Sequence, residues 1–150
     1  MTSLDSVINA IKGLILDSIE VPEISVFTAQ SEGKRDYPLI EIFDTSTAED
    51  EVLRGVYKST IDVNLLTVLN ESGVQNQGTT QAEHLELASN IYCLLGDTQT
   101  IDGIRSSIDY LNSQEKLKVF DLRLISYNNT QEDQKGMTSY NLEVVHCFKN

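Results

Sequence analysis

Proline, cysteine and basic side chains are scarce in this chain of 150 residues, and tryptophan is absent. Its 2 prolines, Pro22 and Pro38, stand apart, so no proline-rich linker divides the chain. Its 2 cysteines, Cys93 and Cys147, each lie in an apolar segment, and we expect buried, reduced thiols rather than a disulfide. No stretch approaches the run of about 18 apolar residues that a membrane span requires.

Basic residues are also outnumbered, because 11 lysines and arginines face 23 aspartates and glutamates, for a net charge of −12. Binding to nucleic acid or to an anionic membrane requires clustered lysine and arginine. The acids are spread along the whole chain, so we expect neither sequence-specific nucleic-acid binding nor membrane binding. The N-terminal segment lacks the basic start and the cleavage site of a secretory signal peptide, which favours a cytosolic protein.

Two segments carry apolar residues at the spacing of an amphipathic helix. The first is residues 3–19, and the second is residues 80–95, which Gly96 would end as a C-terminal cap. The predicted buried stripe of the first helix contains Leu4, Val7, Ile8, Ile11, Leu14, Ile15 and Ile19. That of the second contains Leu85, Ala88, Ile91, Tyr92 and Leu95. Residues 101–111 fit a short helix, although their β-branched side chains also fit a strand, and we favour the helix.

Several segments alternate apolar and polar residues, which predicts β-strands. They are residues 24–28, 39–43, 56–69, 117–127 and 138–148. In residues 56–69, Tyr57, Ile61, Val63 and Leu65 share one face, but Leu66 and Val68 fall on the other. Either a bulge shifts the phase there or both faces are covered. Because the strands come in runs, we predict a single α+β domain over residues 1–150, with a mainly antiparallel mixed sheet and two principal helices packed on one face.

Residues that could carry catalysis or hold a metal are few and scattered. No phosphate-binding glycine loop and no nucleophile elbow occur, and the 2 histidines and 2 cysteines lack zinc-site spacing. We expect His84 to be a solvated first-turn residue and His146 to be partly buried on a strand face that it shares with Tyr140, Leu142, Val144 and Phe148. The apolar neighbours of Cys93 argue against a nucleophile. The sequence therefore predicts no enzyme, no cofactor and no metal site.

Polar stretches are the remaining informative feature. Residues 44–55, 70–79 and 128–137 carry almost no apolar anchors. Loops of this length inside one small domain are usually functional or disordered. We interpret them as long polar loops or hairpin arms that become ordered against a neighbouring subunit, with plain surface variability as the alternative.

The order of these segments carries a family resemblance. An opening apolar helix, LDSVINAIKGLI, is followed by RDYPLIEIF, in which Tyr37-Pro38 introduces a strand, and then by an acidic loop. The strand TIDVNLLTV, the helix AEHLELASNIYCLL and a closing strand pair that ends in YNLEVVHCF follow. In this order the chain resembles the tail terminator family of long-tailed bacteriophages, which includes the lambda-type terminator. Residues 97–115 are longer and more polar than the family pattern.

The resemblance implies a structural virion protein of the tail or neck, assembled in the host cytoplasm. Copies of the chain would form a homo-oligomeric ring, a hexamer, that caps the tail tube, stops its polymerisation and offers its other face to the head. The implied partners are the chain itself, the tail tube protein and a head-completion or neck protein. An acidic lumen would let DNA pass without holding it.

Residues of the three polar stretches are the candidates for subunit contacts or for the lumen. They are Glu49, Asp50, Glu51, Arg54, Gln75, Asn76, Glu132, Asp133 and Lys135. Two other functions stay open on the sequence alone. One is another neck component, such as a head-closure or head–tail joining protein, and the other is a small intracellular α+β binding module or enzyme with an apolar pocket.

Overall fold

The computed structural model describes residues 5–18, 25–28, 38–68, 81–96, 106–113, 117–132 and 135–148. The elements, in chain order, are α1 (Asp5–Leu16), β1 (Ser25–Thr28), β2 (Leu39–Glu49), β3 (Tyr57–Val68), α2 (Gln81–Leu95), α3 (Ser106–Asn112), β4 (Leu117–Glu132) and β5 (Lys135–Phe148). The fold is α+β, and α3 confirms the helix favoured over residues 101–111 from Ser106 onward, while residues 101–105 lie outside the described residues. None of the helices in these ranges is long and apolar enough to cross a membrane.

A mixed sheet of 5 strands, in the order β1-β2-β3-β5-β4, forms the centre of the fold. The short strand β1 pairs parallel with the start of β2, and every other pairing is antiparallel. The mainly antiparallel mixed sheet is therefore confirmed. Strands β3 and β5 lie in the interior of the sheet, which explains why their sequences gave the clearest alternation.

The burial pattern of strand β3 distinguishes between a bulge near Leu66 and coverage of both faces of the strand. Its residues alternate between buried and half-buried from Ser59 to Val68, and its register with β5 is unbroken from Tyr57 to Val68. Leu66 and Val68 are half-buried on the opposite face from Leu65, so no bulge in β3 shifts their phase. The register break lies in β2, between Asp44 and Ser46.

One hydrophobic core joins the helices to the sheet. Val7, Ile11 and Ile15 of α1 are almost fully buried, and so are Ile61 and Leu142 of the two central strands. The predicted stripe of α1 is confirmed for Val7, Ile8, Ile11, Leu14 and Ile15. Leu4 and Ile19, which were predicted to extend it, lie outside the described residues. Tyr140, Leu142, Val144 and His146 share the buried face of β5, as predicted.

The buried face of α2 differs from the prediction. Leu85 and Tyr92 are each 44% exposed, whereas His84 and Leu87 are buried. Ala88, Ile91 and Leu95 were assigned correctly. Cys93, next to Tyr92, is exposed and Cys147 is half-buried, so the expectation of two buried thiols is wrong. The buried face of α2 differs because hydroxyl groups of the sheet supply hydrogen-bond partners for His84. His84 can therefore occupy a core position that a count of apolar residues does not assign to it.

Two of the three polar stretches are strands rather than irregular loops. Residues 44–49 continue β2, and residues 128–132 and 135–137 belong to β4 and β5. Strand β3 pairs with residues 135–137, so this hairpin lies within the sheet and is not an arm that projects from it. Residues 70–79 lie outside the described part of the chain.

Candidate functional site

The connection between β2 and β3 is an ordered turn, here called the hairpin tip (residues 50–56). The Asp50 carboxylate accepts hydrogen bonds from the backbone N–H groups of Val52 (2.8 Å) and Leu53 (2.9 Å). The Asp50 N–H donates to the carbonyl of Val56 at 2.7 Å, and Gly55 has the positive φ of 81° that closes the turn. The two backbone N–H groups hold the pKa of Asp50 below its ordinary value.

The hairpin tip presents apolar side chains to solvent. Val52 is 85% exposed and Leu53 is 58% exposed, although the turn beneath them is fixed. Glu51 and Arg54 flank them and are exposed too. Two large aliphatic groups held rigidly in water gain nothing for folding, so they indicate a contact with another molecule.

A chain of polar side chains ties the base of this hairpin to β5. Thr47 donates to the Asp44 carboxylate at 2.9 Å, so the Ser59 hydroxyl must donate to the Thr47 hydroxyl, which lies 2.9 Å away. The Ser59 oxygen then accepts from Nε2–H of His146 at 2.8 Å. This assignment leaves Nδ1 of His146 without a proton. That atom and one Asp44 oxygen are buried without a hydrogen-bond partner in the described part of the structure.

The His146–Ser59 contact was not expected from the sequence, which predicted only a partly buried His146. Both side chains have 0% exposure, so no substrate reaches this hydroxyl in this conformation. Tyr57 and Phe148 pack on the imidazole, with ring centroids at 6.0 Å and 5.1 Å. Burial lowers the pKa of His146, and the Asp44 carboxylate opposes that shift. These side chains therefore form an internal link between three strands.

A second polar chain lies at the opposite end of the sheet. Nδ1 of His84 accepts from the Thr67 hydroxyl at 2.7 Å, and Nε2–H donates to Thr138 at 2.8 Å. The Thr138 hydroxyl donates a hydrogen bond to the side-chain oxygen Oδ1 of Asn129, and the Asn129 side-chain NH₂ donates to the Tyr127 hydroxyl at 2.8 Å. Both nitrogens of His84 are satisfied, and burial lowers its pKa. The predicted solvated position of His84 is therefore wrong.

Exposed rings and aliphatic groups also lie beside β4. Tyr92 of α2 meets Tyr127 of β4 edge to face, with centroids 5.3 Å apart. Phe120 and Ile125, each beside a register break of β4, are 49% and 48% exposed. A bulge re-aims the side chain of its extra residue. The side of the molecule that carries β4 is thus partly apolar, although it lies far across the sheet from β2.

The predicted contact residues fall into two separate groups. Glu49, Asp50, Glu51 and Arg54 come together at the hairpin tip, where all but the half-buried Asp50 are exposed. Lys135 is exposed at the other end of the sheet, where its backbone pairs with that of Glu132. Gln75, Asn76 and Asp133 lie outside the described residues. Val52 and Leu53 were not among the predicted contact residues, although they form a lone apolar pair inside the polar run EDEVLRG.

Metal ligation has no visible site in the ranges that the structure describes. No group of at least 3 histidine, cysteine, aspartate or glutamate side chains is placed there to hold an ion.

Comparison with known proteins gives likenesses in structure only. No family model matches the chain, and no curated protein matches it in sequence. Among solved structures, the chain is similar to the sheath/tube terminator of an extracellular contractile injection system in its extended state, at 13% identity and a TM-score of 0.42. The likeness covers 100% of this chain and 58% of that chain, so this chain spans little more than half the length of that protein.

Proposed function

We propose that this chain is a structural virion protein, a tail terminator whose copies form a ring on the end of a tail tube and stop its polymerisation. The observation that carries the proposal is the hairpin tip, where Val52 and Leu53 stand exposed on a turn fixed by Asp50. A preorganised apolar pair loses little conformational freedom on binding, so it suits docking onto a repeated surface such as a tube end.

The two ends of the sheet support a protein that has different partners above and below it. The hairpin tip follows β2 at the end where Tyr57 pairs with His146. The facing ends of β4 and β5, Glu132 and Lys135, lie at the other end, where Lys135 pairs with Val68. A terminator requires such an asymmetry, because one rim of its ring meets the tube and the other meets the head-completion or neck protein. We assign the hairpin tip to the tube.

Ring formation and charge complete the proposal. A closed ring requires two different patches on each protomer, and a hexamer would match a six-fold tube. The net charge of −12 on each copy favours a lumen through which DNA passes without being bound. The protein would be assembled in the host cytoplasm and carried in the virion tail or neck.

The proposed role requires no catalysis and no cofactor. Both histidines have a structural role, because His84 and His146 each link strands through hydroxyl groups. The three oxygen atoms of these links belong to Ser59, Thr67 and Thr138, all with 0% exposure. This use of its polar side chains is typical of a scaffold that must be rigid.

The test is a capping assay on purified tail tubes. Electron microscopy would count the capped ends for the wild-type protein and for a variant with Val52→Asp and Leu53→Asp. We expect the variant to require at least about tenfold more protein for the same capping, because it buries charge where apolar groups docked. Leu16→Asp, at an exposed position 52% open to solvent on α1, is the matched control and should cap normally.

Three results would contradict all or part of the proposal. Normal capping by the double variant would remove the hairpin tip from the interface. Binding of the wild-type protein to portal-bearing heads, and not to tube ends, would favour the alternative of a head-closure or head–tail joining protein. Binding to neither would favour a small intracellular binding module.

A further inference from the structure

The two sides of the sheet end in strands whose outer backbone is incompletely covered. On one side, β1 pairs only with residues 39–42 of β2, and we call residues 43–49 the β2 edge. On the other side, β4 is the last strand, and we call residues 124–132 the β4 edge. Within the described residues, no strand pairs with the outer side of either edge. Such edges are templates for the addition of another strand.

The direction of individual backbone groups follows from one side chain. The Asn112 amide binds both the N–H (2.6 Å) and the carbonyl (3.1 Å) of Val119 from outside the sheet. The backbone N–H and C=O groups of Val119 therefore point away from β5, although Val119 stands opposite His146. Along an antiparallel ladder, the backbone groups of every second opposing pair point outward in the same way. The register then gives the residues of the β4 edge whose backbone faces outward as Leu124, Tyr127, Asn129 and Gln131.

The same alternation, carried across β5 and β3, applies to β2. It makes Asp44, Thr47 and Glu49 the outward-facing residues of the β2 edge. It also makes Ile40 and Ile42 face outward, and these are residues that β1 covers. The position of β1 thus agrees with the assignment. No hydrogen bond in the described part of the structure occupies the outward backbone groups of either edge.

The two halves of β4 are protected unequally against strand addition. In residues 117–125, the Asn112 side chain, two register breaks and the basic residues Lys118 and Arg123 blunt the edge. Residues 126–132, SYNNTQE, contain no proline, lysine, arginine or register break. Native proteins protect edges that must stay single with such devices. Their restriction to one half indicates that the other half receives a strand.

Strand direction and charge favour a second copy of this chain as the source of that strand. β2 and β4 run in opposite directions, since the chain alternates across β2, β3, β5 and β4. Copies placed side by side with one orientation would therefore pair β2 with β4 antiparallel. Residues 39–51 contain five acids and no base, whereas residues 117–125 contain Lys118 and Arg123 against Asp121. Two β2 edges repel each other, whereas the β4 edge contains one acid, Glu132, and follows directly after Arg123, so the pairing of β2 with β4 meets less repulsion.

The offset between the edges has a size that suits closure. Asp44 and Leu124 lie in one row across the sheet, because Asp44 pairs with Ile61, Ile61 with Leu142, and Leu142 with Leu124. Bringing Asp44 beside Gln131 of the next copy requires a shift of about six residues, or ~20 Å at ~3.3 Å per residue. Four strands at ~4.8 Å span about 19 Å, so the strands would tilt by about 45° to the ring axis, close to the ~35–45° of closed sheets.

We infer that copies of this chain join edge to edge, with the β4 edge of one copy added antiparallel to the β2 edge of the next, so that one sheet runs around the ring. The inference rests on the proposed ring and names its subunit contact. The contact is heterologous, uses mainly backbone hydrogen bonds, and leaves the hairpin tip free for a different partner.

Proline substitutions at outward positions test this contact. Glu49→Pro removes an outward N–H from the β2 edge, and Gln131→Pro removes one from the β4 edge, without removing a hydrogen bond of the sheet itself. Glu49→Ala and Gln131→Ala are the matched controls, and circular dichroism checks that all four variants are folded. Native mass spectrometry and sedimentation then measure the size distribution of the full chain over a range of concentrations.

We expect the wild-type protein and both alanine variants to form closed oligomers, and each proline variant to remain monomeric. A mixture of the two proline variants should form 1:1 heterodimers and nothing larger, because each supplies one intact edge. Dimers of Glu49→Pro alone would show that β4 pairs with β4. That result, ring formation by both proline variants, or a wild-type chain that stays monomeric at millimolar concentration would overturn the inference.

A second measurement serves if a proline variant does not fold. Hydrogen exchange at the amides of Asp44, Thr47, Asn129 and Gln131 should slow at least about tenfold in the wild-type oligomer relative to the dilute monomer. Unchanged exchange at both edges in an oligomer would also overturn the inference. Tube capping is scored separately, so a protein that caps tubes with free edges would refute only the contact, and an edge-dependent ring that caps nothing would refute only the function.

Discussion

The two ends of the sheet each contain a buried histidine, and the two histidines are used differently. At one end His84 binds Thr67 and Thr138, so both ring nitrogens are satisfied. At the other end His146 binds only Ser59, and its Nδ1 has no partner in the described part of the structure. A saturated network fixes geometry, whereas an unsaturated one carries a desolvation cost. The end near His84 is therefore the anchored end of the domain, and the end near the hairpin tip is held less completely.

The comparison is sharpest when each histidine is replaced by phenylalanine. His84→Phe should lower the free energy of unfolding by about 2–3 kcal/mol, because Thr67 loses its partner and Thr138 loses one of two. His146→Phe should cost less than about 1 kcal/mol, since the loss of one bond to Ser59 is offset by removing a buried unpaired nitrogen. Urea denaturation measures both values. Equal losses would mean that the two networks are equivalent.

Substitution of Gly136 in β5 or of Gly55 in the hairpin tip should give the next largest effect. A Cβ on Gly136 would lie 3.0 Å from the Thr67 hydroxyl and 3.1 Å from Nδ1 of His84, so Gly136→Ala should cost about 1–2 kcal/mol by forcing that network apart. Gly55 has open space but a φ of +81°, so Gly55→Ala should cost about 1 kcal/mol through the backbone alone. Gly55→Asn, which tolerates that conformation, should recover part of the loss, while Gly136→Asn should not. Thermal unfolding of the four variants distinguishes crowding from backbone strain.

Lowering the pH should destabilise mainly the end of the sheet that contains His84. Burial lowers the pKa of His84 from 6.5 and that of His146 likewise, so at mildly acidic pH the unfolded chain binds more protons than the folded one. Their contribution to stability is complete above about pH 6.5 and is lost as the pH falls toward the folded-state pKa. Protonation of His84 also converts the acceptor that Thr67 requires into a donor. We expect the decline in unfolding free energy below about pH 6.5 to be shallower in His84→Phe than in His146→Phe.

The smallest effect on stability belongs to the hairpin tip. The variant with Val52→Asp and Leu53→Asp should change the free energy of unfolding by less than about 0.5 kcal/mol, because both side chains are exposed in the free chain. The same variant should have the largest effect on tube capping. A strongly destabilised variant would show instead that the tip supports the fold, and its capping defect would then be trivial.

Periodicity in the sequence predicted the parts of the fold that bury apolar residues on one face. The stripe of α1 and the inward faces of β3 and β5 are examples, because their burial depends only on local spacing. The face of α2 was predicted with an error, since Leu85 and Tyr92 count as apolar while His84 does not. His84 is buried because Thr67 and Thr138, both distant in sequence, supply its partners. No local pattern contains that information.

The polar strands were missed for a related reason. Residues 128–132 have little intrinsic preference for a strand, yet they pair with β5, which pairs in turn with β3. Neighbouring strands thus impose a conformation that their own sequence does not favour. At the candidate site, the acidic residues of the hairpin tip were predicted, but Val52 and Leu53 were overlooked because a polar stretch was judged by its majority. Their exposure is a property of the turn geometry around Asp50.

The Asn112 side chain limits the registers in which another strand can pair with the β4 edge. A strand laid along a polar sequence such as SYNNTQE could slip, because few side chains distinguish one alignment from another. Asn112 already occupies the outward backbone groups of Val119, so an incoming strand meets a physical stop before it reaches that residue. One short side chain on α3 thus limits the alignments open to the whole edge, and its replacement by leucine should allow aggregates of mixed registry.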